Sequence, residues 1–188
     1  YLHLPVLYRF AKRCDHVTEM GSRTGVSTRA FLYANPAEFI SYDYQYSTPE
    51  PHLAKGVQRL KELMDDCRTA GMNCKYYGKN VLEIEIAETD LLFIDTYHCY
   101  AQLKKELELH ASKVRKYLAF HDTTLYGERG EGFPHMDPNH PVRTNFIDGY
   151  GGIRKAIDEF VEAHANWKVV YESKDNNGLL ILKKRLFA

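Results

Sequence analysis

The stretch Val17-Thr18-Glu19-Met20-Gly21-Ser22-Arg23-Thr24-Gly25-Val26-Ser27 decides the fold. A short strand-like segment, His16 to Met20, runs into a turn carrying two glycines and then into a helical pattern over Ser27 to Ala34. Strand, glycine turn and helix in that order form the opening unit of an open α/β sheet, whose ligand-binding loops lie at the carboxyl ends of the strands. The glycines are spaced G-x-x-x-G. A dinucleotide loop needs G-x-G-x-x-G so that backbone can approach a pyrophosphate, and Arg23 and Val26 stand at its second and third glycine positions. The phosphate loop G-x-x-x-x-G-K-[ST] is absent as well. What remains is a tight turn preceded by a carboxylate, Glu19, which repels phosphate and suits a cationic ligand.

Working outward, strand and helix signals alternate along the chain. Phe39 to Asp43 reads as a strand. Pro51 suits a helix start, and Leu53, Val57, Leu60, Met64 and Cys67 recur at three- and four-residue steps until Gly71. Leu91 to Ile94 is an apolar run ending in Asp95, the pattern of a strand buried on both faces. A helix is expected over Tyr100 to His110, and a further strand, Tyr117 to Phe120, ends in His121 and Asp122. Ile153, Ala156, Ile157, Phe160, Val161 and His164 mark another helix. Trp167 to Ser173 and Gly178 to Lys183 flank Asp175-Asn176-Asn177-Gly178, whose Asn-Gly step favours a tight antiparallel hairpin. The fold class is therefore α/β: a doubly wound, mostly parallel, seven-stranded sheet with a C-terminal antiparallel hairpin. The 188 residues make one domain on the length prior. Between Tyr126 and Gly152 lie six of the twelve glycines and three of the seven prolines without periodicity, so 126–152 is expected to be a loop that closes as a lid.

Composition narrows the partners. Lys plus Arg and Asp plus Glu both number 25. Such neutrality argues against affinity gained by neutralising nucleic-acid phosphates or an anionic membrane. No apolar run is long enough to span a bilayer, and Tyr1 to Phe10 is too interrupted for a signal peptide. The chain opens on Tyr1 instead of Met, which reads as a trimmed or excised piece. Cys14, Cys67, Cys74 and Cys99 show no C-x-x-C spacing, and thiols in a chain with its own core point to a reducing, cytoplasmic setting. A homo-oligomer stays open.

Asp43 follows Gly21 by 22 residues, near the spacing at which an acid accepts hydrogen bonds from a ribose diol. One carboxylate for a cation and one for a ribose describe a nucleoside bearing an ammonium or sulfonium group. On these residues the sequence resembles the class I S-adenosylmethionine-dependent methyltransferases, whose first motif is E/D-x-G-x-x-x-G. Glu19-Met20-Gly21-Ser22-Arg23-Thr24-Gly25-Val26-Ser27 is similar in particular to the small metal-dependent O-methyltransferases of the catechol and caffeoyl-CoA type. The resemblance spans nearly the whole chain. It implies a Rossmann-like methyltransferase fold with S-adenosylmethionine held by Glu19, Gly21, Ser22, Thr24, Gly25, Asp43 and Asp95, with Asn80 along the adenine.

The fourth and fifth strands end in Phe93-Ile94-Asp95-Thr96-Tyr97-His98 and Phe120-His121-Asp122-Thr123. In a parallel sheet these tips share one edge, so two carboxylates and two imidazoles converge there. Such a group binds a hard divalent cation through oxygen, or uses an imidazole as general base. The pair of segments resembles the cephalosporin hydroxylase-like proteins and the metal-dependent O-methyltransferases of macrolide sugars. That resemblance implies His98 as catalytic base, Asp95 and Asp122 as catalytic residues organising the acceptor oxygen, and Asp95, Asp122 and His121 as ligands of magnesium or manganese. His121 departs from the acid of the sugar enzymes; an imidazole ligand suits manganese, iron or zinc better than magnesium. The expected acceptor is a hydroxyl of a small molecule or sugar. Two other classes remain: a nucleoside-binding module without catalysis, and a nicotinamide-dependent reductase. The other histidines, His3 among them, carry no assignment.

Overall fold

The computed structural model describes residues 2–47, 50–131, 147 and 150–185. Seven strands form one sheet: β1 (His16–Met20), β2 (Glu38–Tyr42), β3 (Cys74–Tyr77), β4 (Thr89–Ile94), β5 (Val114–His121), β6 (Trp167–Ser173) and β7 (Leu179–Lys184). Five helices join or precede them: α1 (Leu4–Ala11), α2 (Val26–Ala34), α3 (Ala54–Thr69), α4 (Tyr100–His110) and α5 (Ile153–Ala163). The strand order is β3-β2-β1-β4-β5-β7-β6. β1 to β5 pair in parallel, while β7 runs antiparallel to both β5 and β6. The expected sheet and hairpin are thus present.

The parallel core is buried because helices cover both faces. Every residue of β1 and β4 is buried. Alternate side chains feed two cores, as the two-residue period of a strand requires. Val17, Leu91 and Phe93 pack with Phe31, Leu60 and α1 on one face; Met20, Leu92 and Ile94 pack with Leu103, Phe120 and Ile157 on the other.

Two elements differ from the sequence reading. α1 was not foreseen; Pro5 in its first turn pre-sets the backbone, and Val6, Leu7 and Ala11 bury a short apolar stripe. α3 begins at Ala54, not at Pro51, because residues 51–53 form a preceding turn in which Leu53 and Ala54 N–H both donate to the Glu50 carbonyl.

The strand order reverses between β1 and β4, and a crevice opens there beyond the carboxyl ends of the strands. Of the expected lid, residues 132–146 and 148–149 lie outside the described residues. Its two described ends are pinned together: Ile153 N–H donates to the Tyr126 carbonyl, Arg154 N–H to that of Gly127, and Gly152 N–H to that of Glu128.

Candidate active site

A cavity of about 740 Å³ fills the crevice. Gly21 opens its floor with φ +81°, and a Cβ there would overlap the Asp95 backbone carbonyl. Gly25 turns the chain into α2 at φ +82°, packed against the Leu60 side chain. Of the residues expected to hold a nucleoside, Gly21, Ser22, Thr24, Asp43, Asn80 and Asp95 line the cavity. Glu19 and Gly25 do not; they lie behind the wall. Glu19 is fully buried and accepts hydrogen bonds from Ser27 Oγ (2.6 Å), Thr28 Oγ1 (2.7 Å) and Ser41 Oγ (2.7 Å). Its structural work is to tie the end of β1 to the first turn of α2 and to β2.

Asp43 holds the same turn from the other side. Its Oδ2 accepts from the N–H of Ser22 (2.9 Å) and Arg23 (2.6 Å), and its Oδ1 accepts from Gln45 N–H (2.8 Å). Burial raises its pKa despite these donors. Tyr46 Oη bridges Ser22 Oγ (2.8 Å) and Ser41 Oγ (3.1 Å), so a buried hydroxyl chain links the two carboxylates. Asn80 lines the cavity while its Oδ1 caps a single 3₁₀ turn by accepting from Leu82 N–H at 3.0 Å.

At the tips of β4 and β5 the four expected residues do converge. His98 Nε2 lies 3.1 Å from Asp95 Oδ1 and 3.2 Å from Asp122 Oδ2, and His121 Nδ1 lies 3.4 Å from Asp95 Oδ1 and 3.1 Å from Asp122 Oδ1. Burial works against a charged imidazole, but hydrogen bonds to Asp95 and Glu131 raise the pKa of His98 to about 10. For His121 the same opposition is won by Asp122 and Asp95, which raise it to about 9. Asp95 gains the reverse: burial would raise its pKa, yet His121 and His98 hold it well below the ordinary carboxylate range.

The donor set fits a metal ion. His121 Nδ1 and Asp122 Oδ1 are buried without an aligned hydrogen-bond partner among the described residues. Neighbouring oxygen or nitrogen donors around an ion at about 2.1–2.3 Å stand roughly 3.0–3.3 Å apart, close to the 3.1 and 3.4 Å seen here. One ligand atom each from Asp95, His121 and Asp122 lies within 4.8 Å of the others.

The far wall combines the start of the expected 126–152 loop with parts that were not foreseen, α1 above all. It comes from His3, Leu4 and Leu7 of the α1 region, from Leu125, Tyr126 and Glu131 after β5, and from the β6–β7 turn. His3 Nε2 donates to the carbonyls of Asp175 (2.8 Å) and Asn176 (3.2 Å), and its ring meets His121 edge-on at 5.3 Å. Tyr126 stacks on His98 at 5.1 Å. Five described non-glycine residues have positive φ, and all but Asn35 line this cavity: Arg23, Asp122, Asn176 and Asn177. The Asn pair suits its hairpin turn, and the strain at Arg23 and Asp122 makes this cavity the candidate functional site.

Two buried carboxyls make stability depend on pH. Burial raises Glu19 from 4.5 to about 7, and Glu106, whose Oε1 accepts from Thr96 Oγ1 and Gln102 Nε2, likewise from 4.5 to about 7. The native chain therefore keeps protons that the unfolded chain has released across that window. The contribution of these two groups is most favourable below about pH 4.5 and declines as pH rises to 7, by about 1.4 kcal/mol per pH unit for each. Urea unfolding at pH 5, 6 and 7 measures the slope. Glu106→Gln is expected to flatten it by one group's share; an unchanged slope would mean that Glu106 does not titrate in the native state.

No family model matches the chain, and no curated protein matches it. Solved structures do. The chain is similar to a Staphylococcus aureus protein assigned as a caffeoyl-CoA O-methyltransferase (14% identity, 98% of this chain and 83% of that one, TM-score 0.65). It is similar to the O-methyltransferase TomG from Streptomyces achromogenes, solved in complex with SAM (14%, 98% and 80%, 0.61). It is also similar to the N-methyltransferase NodS from Bradyrhizobium japonicum (12%, 98% and 95%, 0.58). The chain thus has the fold of the class I S-adenosylmethionine-dependent methyltransferases, with the mixed seven-stranded sheet described above. Among the described residues no helix is long and apolar enough to cross a membrane.

Proposed function

We propose that this chain is an S-adenosylmethionine-dependent O-methyltransferase, acting with a divalent cation on a hydroxyl of a small molecule or sugar. The observation that carries the reading is the meeting of Asp95, His98, His121 and Asp122 beside the Gly21 turn, within one cavity, on a sheet of this topology. The carboxylates in the lining, Asp43, Asp95 and Asp122 among them, support a sulfonium nucleoside over a phosphorylated one, and the reading assigns the ribose to Asp43.

S-adenosylmethionine supplies an electrophilic methyl group. The acceptor oxygen attacks that carbon in line, the carbon–sulfur bond breaks, its electron pair stays on sulfur, and S-adenosylhomocysteine leaves. An alcohol is a poor nucleophile until its proton goes, and His98 Nε2 is the atom placed to receive it. A divalent ion held by Asp95, His121 and Asp122 would lower the hydroxyl's pKa and take up the negative charge that otherwise keeps His98 protonated. The walls from α1, Tyr126 and the β6–β7 turn orient the acceptor and exclude water. The four cysteines support a reducing, cytoplasmic location.

The test is transfer from radiolabelled S-adenosylmethionine to a panel of catechols and free sugars, with manganese and magnesium supplied. His98→Ala is expected to slow turnover by about 10²–10⁴-fold while leaving cofactor affinity in place. Unaltered turnover in that variant would remove the base, and S-adenosylmethionine binding with no acceptor methylated would favour a non-catalytic nucleoside-binding module.

A further inference from the structure

We propose that Glu131 is a positioning residue that fixes the His98 ring in one orientation, with Nδ1 toward the Glu131 carboxylate and Nε2 in the cavity; the purpose assigned to it rests on the methyl-transfer reading, the geometry does not. Glu131 Oε2 accepts from His98 Nδ1 at 2.9 Å, and the same oxygen lies 3.5 Å from the His98 backbone N–H. In return Glu131 N–H donates to the His98 carbonyl at 2.7 Å. The two residues, 33 apart in sequence, are clasped through side chain and backbone at once.

A carboxylate can only accept a hydrogen bond, so the proton of this pair sits on Nδ1. Asp95 Oδ1, 3.1 Å from Nε2, also only accepts, so the ring is held by a carboxylate at each nitrogen and its two ends are distinguished by which acid they meet. Nε2 is the ring atom that stands between Asp95 and Asp122 in the cavity. Flipping the ring would break the Glu131 bond and turn Nδ1 away, while the Tyr126 face, nearly parallel at 16°, resists tilting. The carboxylate steers the ring as the acid of a catalytic triad does, without taking its proton. It also makes the base depend on the start of the 126–152 excursion, since Glu131 is brought in by that segment and not by the sheet.

The test needs no acceptor. Histidine ring nitrogens are labelled with ¹⁵N and the wild type is compared with Glu131→Leu and Glu131→Asp. In the wild type the His98 Nδ1–H is expected as a far-downfield, slowly exchanging resonance. Glu131→Leu should lose it, with exchange faster by at least about tenfold, and Glu131→Asp should recover part of it. His110, buried and bonded through Nε2 to the Val81 carbonyl at 2.8 Å, serves as the folded-state control in every sample. A wild type without the resonance, or a Glu131→Leu protein that keeps it while the His110 signal is intact, would overturn the proposal. Titrating S-adenosylhomocysteine into the same samples separates the two readings: the resonance without binding upholds the positioning role and counts against methyl transfer alone.

Discussion

Gly21→Ala is expected to lower the unfolding free energy by about 3 kcal/mol or more, and to weaken S-adenosylhomocysteine binding by at least about tenfold in whatever remains folded. Two costs add. A left-handed φ of +81° is strained for alanine, and the new methyl would meet the Asp95 carbonyl, which is part of a strand end and cannot rotate away. Gly71 gives the comparison. Its φ is +91°, yet a Cβ there meets nothing within 4 Å, so Gly71→Ala isolates the conformational cost of about 1–2 kcal/mol. Gly25→Ala should fall between them, because its obstacle is the flexible Leu60 side chain. Equal midpoints for Gly21→Ala and Gly71→Ala in urea would mean that the turn is not pressed against the fourth strand.

Asp95→Asn is expected to reduce manganese affinity by at least about 100-fold and to abolish turnover, with the fold retained. The amide keeps the shape of the carboxylate and deletes its charge. Asp95 offers a single oxygen, Oδ1, to both imidazoles, 3.1 Å from His98 Nε2 and 3.4 Å from His121 Nδ1, whereas Asp122 meets them through separate oxygens. Without its charge both rings keep only Asp122 as a shared acid, and any ion loses an anionic ligand. Electron paramagnetic resonance of added Mn²⁺ reads the effect directly. Manganese affinity unchanged in Asp95→Asn would place the ion elsewhere or nowhere.

The parts of this site that the sequence made legible are those built by short-range rules. Glu19, Gly21, Gly25 and Asp43 follow from strand–turn–helix order, and Asp95, His98, His121 and Asp122 follow from the tips of two parallel strands sharing an edge. The hairpin was legible for the same reason, since Asn176, Asn177 and Gly178 all take positive φ, which Asn and Gly tolerate best. What the pattern could not convey is which carboxylates reach the cavity. Glu19 has the spacing of a ligand-binding acid, but three hydroxyls from α2 and β2 enclose it.

The missed residues are joined across long stretches of chain. His3 meets the Asp175 carbonyl 172 residues away, and Glu131 meets His98 from an aperiodic segment with no strand or helix signal. No local periodicity encodes such contacts. α1 escaped because its apolar face is only two turns long, too short for a periodicity to show.

The most direct measurement is calorimetric titration of the wild-type chain with S-adenosylmethionine and S-adenosylhomocysteine, set against NADH and ATP. Micromolar dissociation constants, about −8 kcal/mol, for the two sulfur nucleosides and no heat from the phosphorylated pair are the result this account predicts. Tight NADH or ATP binding with indifference to both sulfur nucleosides would contradict it.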